Sequence, residues 1–279
     1  MPKDASQLKV GVYVDVANIA MNGGFGMRYE VLREFACRGS AEPIRLNAYV
    51  SFDPERAKND HDYRTKQQRF HAALRDVGYK VIQKETKWYT DDDGNRFGKA
   101  NVDLDLAVDA LMQSENLDRL ILATGDGDFV QVVRALQNRG CRVEVVAFDN
   151  VSGDLRREAD LYMSGYLIPN LLPVRRAQPN SKWGEVDSFA RGVCYAHDET
   201  KGFGWLRYLT TVNGDLWRTD SRDTLSPYAT VFCHGSEYPD DVDQSRLTNR
   251  NTVLEFQIIP GAEPGQTKAV AVQAFLTVT

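Results

Sequence analysis

The sequence predicts a two-domain protein, a parallel α/β sheet followed by a small all-β barrel, and three observations carry that reading. Over the first part, apolar strands without polar alternation take turns with helical stretches, the pattern of a parallel sheet covered on both faces. "IPNLLPVRRAQPNSKWGE" then interrupts with three prolines and many polar residues, which reads as a linker. Beyond it come only short β-like segments separated by Gly and Asn-Gly turns, as in a small barrel. At 279 residues, two domains are also what length favours.

Taken in order, "LKVGVYVDV" (8–16) is a first strand and "RLNAYVSF" (45–52) a second. A helix over His61–Val77 is ended by Gly78, and "YKVIQKE" (79–85) is a third strand. "NVDLDLAVDALMQ" (101–113) is helical, with Leu104, Val108, Leu111 and Met112 spaced as one apolar stripe. "DRLILAT" (118–124) is a strand, Asp128–Asn138 a helix stopped by Gly140, and "CRVEVVAF" (141–148) another strand. In the last part the segments are "SFARGVCYAH", "GFGWLRYL", "YATVFCHG", "NTVLEFQII" and "KAVAVQAFLTV".

Composition narrows the function classes. With 42% hydrophobic and 26% charged residues the chain has the balance of a soluble globular protein. No run approaches the ~18 apolar residues of a membrane span, and "MPKDASQLKV" lacks a signal core, so a cytoplasmic protein without membrane contact is expected. Cys37, Cys141, Cys194 and Cys233 show no C-x-x-C spacing, which argues for buried free thiols rather than zinc or disulfides. The net charge of −5 gives no global attraction to nucleic acid, so local basic patches or metal ions would have to hold such a partner.

"ATGDGDFVQVV" places Asp126 and Asp128 just after an apolar strand. In a parallel sheet ligands bind beyond the carboxyl ends of the strands, and Asp15 in "VYVDVANI" stands at that end of the first. Asp103, in the first turn of its helix, falls near the same rim, while Asp105 and Asp109 share another face and read as solvated. Two carboxylates ~4 Å apart repel by roughly 4 kcal/mol at an effective dielectric of ~20. A hard cation with oxygen ligands among them, Mg²⁺ or Mn²⁺, offsets that repulsion. Asp128 has a second reading, as an N-cap whose capping box closes on Gln131. A haloacid-dehalogenase phosphatase would need an aspartate where Ala17 stands, and a dinucleotide site would need G-x-G-x-x-G in place of "DVANIAMNGG". Lys84, Lys87, Arg96 and Lys99 lie in "KETKWYTDDDGNRFGK", either as phosphate holders or as part of a solvated hairpin.

"VYVDVANI", "KANVDLDLAVDAL", "LILATGDGDFVQVVRALQNRGCRVEVVAF" and "SGDLRREADLYMSG", in that order, resemble the NYN domain, the LabA-like branch of the PIN-like metal-dependent nucleases. The resemblance covers residues 8 to about 168. It implies an α/β sandwich and RNA cleavage at a divalent-metal site, with Asp15, Asp103 and Asp126 as its acidic residues. Asp128 stands close behind them, and Asn18 is the polar companion in the first loop.

In "KGFGWL" and "VFCH", strand alternation puts Phe203 and Trp205 on one face of their strand, opposite Gly204 and Leu206, and likewise Phe232 and His234 on one face of theirs, opposite Val231 and Cys233. Either these aromatics face outward beside Lys201, as a stacking platform for unpaired bases, or they form the core. Together the segments resemble the two ribonucleoprotein motifs of a cold-shock domain, an OB-fold, over about residues 188–279. The resemblance implies a nucleic-acid platform of Phe203, Trp205, Phe232 and His234 with Lys201 beside it. Ala196 and His197 stand where that family has an aromatic pair, and the segment 208–229 is longer than usual.

The sequence thus reads as a PIN-like/NYN domain over residues 1–172, a linker over 173–187, and a cold-shock-like OB-fold over 188–279. The expected activity is a Mg²⁺- or Mn²⁺-dependent endoribonuclease with Asp15, Asn18, Asp103, Asp126 and Asp128 in its site. The expected nucleic-acid contacts are Lys99, Lys201, Phe203, Trp205, Phe232 and His234. The expected partner is single-stranded RNA, with single-stranded DNA and a homo-oligomer also compatible. A non-catalytic RNA-binding regulator and a DNA nuclease are the alternatives.

Overall fold

The computed structural model describes residues 7–91, 93–177, 181–239 and 242–276. Their contacts divide the chain into two compact units, one of residues 1–25 and 40–163, the other of residues 26–39 and 164–279.

The first unit is built on β1 (Lys9–Asp15), β2 (Glu42–Phe52) and β3 (Lys80–Glu85), a hairpin of β4 (Lys87–Thr90) and β5 (Arg96–Lys99), and β6 (Arg119–Ala123), β7 (Arg142–Ala147) and β8 (Leu161–Ser164). Six of these strands form one sheet in the order β3-β2-β1-β6-β7-β8. The β1–β2, β2–β3, β1–β6 and β6–β7 pairs are parallel. The chain therefore builds outward from β1 in one direction, returns to lie against β1 again, and builds outward in the other. Val10, Val12, Tyr13 and Val14 are fully buried, which is why β1 shows no polar alternation. The helices of this unit are α1 (Val16–Ile19), then α3 (Pro54–Asn59), α4 (His61–Asp76), α5 (Val102–Gln113), α6 (Val130–Asn138) and α7 (Gly153–Glu158), while α2 (Tyr29–Ala36) groups with the second unit. Among the described residues no helix is long and apolar enough to cross a membrane.

Of the apolar stripe on α5, Leu111 packs toward the core and the other three residues do not. Leu104, Val108 and Met112 are 59%, 45% and 70% exposed. Leu106 and Ala110 are the side chains that face the core, joined by partly buried Val102, Ala107 and Leu111. Above this inner face lies a polar network. Tyr13 and Asn47 donate to Gln113 Oε1 (3.0 and 3.3 Å), Asn47 also donates to the Tyr49 oxygen (3.1 Å), and the Tyr49 hydroxyl donates to Asp109 (2.8 Å). Asp109 is therefore not part of a solvated face, and neither is Asp105, whose two oxygens accept from Lys84 Nζ at 2.8 and 2.6 Å.

The second unit carries β9 (Ser188–Asp198), β10 (Phe203–Leu209), β11 (Tyr228–His234), β12 (Val253–Pro260) and β13 (Thr267–Leu276). They close into a barrel in the order β10-β11-β13-β12-β9, with β11–β13 parallel and the other pairs antiparallel, which is the strand order of an OB-fold. Ala190, Cys194, Leu206, Val231, Cys233 and Phe256 fill its interior. Three of the four cysteines are buried, Cys37 is half-buried, and all four are free thiols.

Beneath the barrel wall sits an ion pair that sequence reading did not single out. Arg191, 1% exposed, donates to Glu255 at 2.8 Å, to the Leu172 carbonyl at 2.8 Å and to the Pro173 carbonyl at 3.3 Å. Arg176 donates to the other Glu255 oxygen at 3.2 Å. The proline-rich stretch is therefore bonded to β9 and β12 over residues 172–176, while residues 178–180 lie outside the described residues. Removing one partner of a buried pair leaves an uncompensated charge, a loss of about 3–5 kcal/mol. Glu255→Gln should lower stability on that scale in urea unfolding followed by tryptophan fluorescence. A loss below about 1 kcal/mol, the value of a surface pair, would mean that the guanidinium finds water there.

Candidate active site and nucleic-acid interface

β1 and β6 lie side by side, with Val14 opposite Ala123, so the loops that leave them open at one place. Each loop begins with an aspartate that caps the next turn. Asp15, 8% exposed, accepts from the Asn18 N–H at 3.0 Å and starts α1. Asp126 accepts from the Asp128 N–H at 2.9 Å and starts a 3₁₀ turn over Gly127–Phe129. The Asn18 side chain joins the two loops, its Oδ1 accepting from the Gly125 N–H at 2.8 Å. The glycines of "GDGD" are needed because the β7–α7 loop packs against them. A Cβ on Gly125 would stand 3.3 Å from Val151 Cα, and one on Gly127 would stand 2.8 Å from Ser152 Oγ.

Asp103 enters from α5, whose first turn follows Asn101 in the left-handed region (φ 42°). Burial pushes the Asp15 carboxyl above its ordinary value of 3.8, the Asn18 N–H opposes that, and the charges of Asp126 and Asp103 push it further up. These three carboxylates thus share one electrostatic field. Among the described residues no three His, Cys, Asp or Glu side chains stand close enough to hold an ion as they are. A magnesium ion keeps several waters and takes only one or two protein carboxylates directly. The donor set, all oxygen, with Asp15 buried, Asp126 half-buried and Asp103 exposed, fits that mode of binding.

Of the two readings left open for each neighbour of the site, the N-cap at Asp128 is excluded and the basic loop is a hairpin. Asp128 does not cap α6: Asp126 caps the turn before it, α6 has no side-chain cap, and Asp128 is exposed beside the crevice. Lys84 is bound to Asp105, and Arg96 pairs with Glu55 at 2.6 Å while lying 4.9 Å from the Trp88 ring centre. The "KETKWYTDDDGNRFGK" stretch is the β4–β5 hairpin, with Trp88 and Tyr89 exposed on it. The side chain of Lys99 lies outside the described residues.

On the barrel, register places the aromatics. Gly204, Leu206, Val231 and Cys233 are buried, while Phe203, Trp205, Phe232 and His234 are on the outer face. Phe203 and Trp205 flank Phe232, with ring centres 5.6 and 5.7 Å from it. Lys201 is 71% exposed, 3.8 Å from Asp198. One aromatic escaped sequence reading. Trp205 pairs with Ala196 but Leu206 pairs with Cys194, so Tyr195 is the extra residue of a β-bulge. Directly opposed residues share a face. Tyr195 therefore stands outside next to Ala196, 46% exposed, and His197 turns inward to meet the Tyr238 ring edge-on at 5.6 Å. A ring thus stands on the outer face beside Ala196.

The first unit is thus a parallel α/β domain with interacting carboxylates at the strand ends where its strand order reverses. Residues 9–167 match the NYN domain family, and the chain belongs to that family, which comprises ribonucleases. It is similar to the low amplitude and bright protein LabA of Synechococcus elongatus, with 30% identity over 162 residues that span 56% of this chain and 82% of the relative. It is also similar to a solved protein of unknown function from Vibrio parahaemolyticus, with 28% identity, 59% of this chain and 96% of that chain covered, and a TM-score of 0.45. The barrel lies outside the residues matched to the family.

A carboxyl whose pKa is raised on folding favours the protonated folded state, so stability is lost as pH rises through the raised value. Asparagine caps about as well as aspartate. In chelator at pH 7, Asp15→Asn should therefore unfold at a higher temperature than the parent, and the advantage should vanish below pH 3.8. Added Mg²⁺ should stabilise the parent more than the variant. A variant less stable than the parent in chelator at pH 7 would show that Asp15 is not strained there.

Proposed function

We propose that the protein is a divalent-metal-dependent endoribonuclease of the cytoplasm, and that its barrel holds single-stranded RNA. What carries the reading is the common field of Asp15, Asp103 and Asp126 at the reversal of strand order, in a chain of the NYN family. Asp15 and Asp126 each use a lone pair on a backbone N–H, which orients the remaining ones. These two and Asp103 would hold Mg²⁺ or Mn²⁺, with Asp128 beside them. A bound ion of this kind polarises a phosphoryl oxygen and lowers the pKa of water. Asn18 is a positioning residue that keeps the two loops at a fixed separation. On the barrel, Phe203, Trp205, Phe232 and His234, with Lys201 alongside, form a face suited to stacked bases. Such a platform accepts RNA and DNA alike. A second reading, RNA binding without cleavage, rests on the outer aromatic face of the barrel, which needs no ion.

Labelled single-stranded RNA and DNA, incubated with Mg²⁺, Mn²⁺ or EDTA and sequenced after cleavage, distinguish these readings. Since loss of an outer-shell partner already costs 10–100-fold, Asp15→Asn, Asp103→Asn and Asp126→Asn should each lower cleavage by more than about 100-fold in folded protein. Asp128→Asn should lose less. Unchanged rates in EDTA would sink the metal mechanism, and RNA binding without turnover in every ion would select the second reading.

The barrel has its own test. Phe203→Ala with Trp205→Ala should weaken single-stranded RNA binding by about 2–6 kcal/mol, the loss of two stacked bases, as read by fluorescence anisotropy. Because such contacts are equal in ground and transition states, kcat should stay near the parent value while KM rises. A fall in kcat alone would move these rings into the catalytic site.

A further inference from the structure

Between β10 and β11 the chain makes a detour over residues 210–227, and the detour is stapled in place. Arg218 pairs with Asp215 and Asp223, both at 3.0 Å. The Ser226 hydroxyl donates to the Arg218 carbonyl (2.6 Å), and the Tyr228 hydroxyl donates to the Leu216 carbonyl (3.1 Å). Arg207 of β10 reaches over to donate to the Thr219 carbonyl at 3.3 Å.

Between this segment and the outer face of the barrel is a cavity of about 400 Å³, within the ~300–1,000 Å³ of small-ligand sites. Tyr195, Trp205 and Arg207 line it from the barrel, and Asp220, Ser221 and Arg222 line it from the segment. The bulge at Tyr195 is what turns a second aromatic ring toward the space beside Trp205. The Arg207 guanidinium lies 5.7 Å from the Tyr195 ring centre and 5.5 Å from that of Tyr228, and no carboxylate of the described residues pairs with it. Asp220 is gripped by both arms of Arg222, at 2.9 and 2.8 Å. A flat π-faced group, a fixed cation and an acceptor at the rim are what an unpaired nucleotide needs: a stacking surface, a phosphate partner and an edge reader.

We propose that this cavity takes one nucleotide of the bound strand and is where the barrel discriminates among bases, with guanine preferred. This rests on the reading of the barrel as a single-strand binder. The base stacks on Tyr195 and Trp205, Arg207 faces the backbone, and Asp220 reads the Watson–Crick edge. A carboxylate only accepts: Oδ1 takes the backbone N–H and the Nε of Arg222, at 3.0 and 2.9 Å, while Oδ2 takes Nη2 at 2.8 Å and keeps one lone pair. Guanine is the base that presents two adjacent N–H nitrogens on that edge, and either can meet the remaining acceptor. Selection here differs in kind from the sequence-tolerant stacking on Phe203 and Phe232.

The test uses the full chain in EDTA, so that binding is read without turnover, and oligouridylates in which one residue is replaced in turn by G, A or C. The parent should bind about tenfold more tightly when guanine occupies one particular position, and Tyr195→Ala should bind every oligomer about tenfold more weakly, the scale of one stacked base. Asp220→Asn should erase the guanine preference, so that the substituted oligomers bind no more tightly than plain oligouridylate. Absence of any positional preference in the parent, or a preference that survives Asp220→Asn and Tyr195→Ala, would overturn the proposal. If those variants changed nothing while Phe203→Ala weakened binding, the platform reading would stand and only the cavity would fall. If the parent bound no oligomer at all, both would fall together.

Discussion

The adjacency of β1 and β6 is the constraint on which the rest of the first unit depends. Because the strand order reverses there, the loops leaving the two strands diverge and open a crevice between them. A carboxylate at the end of each strand then has no choice but to face its counterpart. The fold makes that tolerable by giving each a backbone N–H, at Asn18 and Asp128. It does not remove the conflict: Asp15 remains buried, and the charges of Asp126 and Asp103 still act on it. Asn18 holds the arrangement by joining the loops through Gly125, and the two glycines of "GDGD" let the β7–α7 loop close over them.

Much of this was legible in the sequence. β1 and β6 are buried on both faces, so their side chains are apolar without alternation, and the strands read directly. Asp15, Asp103 and Asp126 were readable as a group because strand ends and a helix start follow from local pattern. The inner face of α5 was not. It packs through Leu106 and Ala110 with Val102, Ala107 and Leu111 partly buried beside them, while Leu104, Val108 and Met112 stand outward and make an apolar row of their own at helical spacing. The roles of Lys84, Asp105 and Asp109 depend on partners far away in the chain, at Asp105, Lys84 and Tyr49, and no local pattern encodes them. The cap at Asp126 rather than Asp128 turns on a single 3₁₀ turn, finer than spacing resolves.

The barrel shows the opposite balance. Alternation gave shared faces for its aromatics and left open which side they take; buried Gly204 and Cys233 turn the flanking rings outward. What alternation missed is buried charge: Arg191 is at once a β9 residue and the anchor for the Leu172 and Pro173 carbonyls, and a cation in a wall position looks exposed until Glu255 is seen beside it. Such pairs stabilise little relative to apolar packing, but they fix which backbone carbonyls lie against the wall. The stapled segment after β10 works similarly at the surface, since Arg218 and its two aspartates hold a long connection in one conformation.

The bulge at Tyr195 acts as a parity switch in β9. Before it the even-numbered residues Ala190 and Cys194 point into the barrel; after it the odd-numbered His197 does. One additional residue thus exchanges inside for outside over the remainder of the strand, with no change in the hydrogen-bonded frame of β10. A lineage of such barrels could lose an aromatic from a binding face and regain one by a single-residue insertion, leaving the core in register. Alignment of these strands position by position would then pair inward residues with outward ones, and only the fold would show which side chains are equivalent.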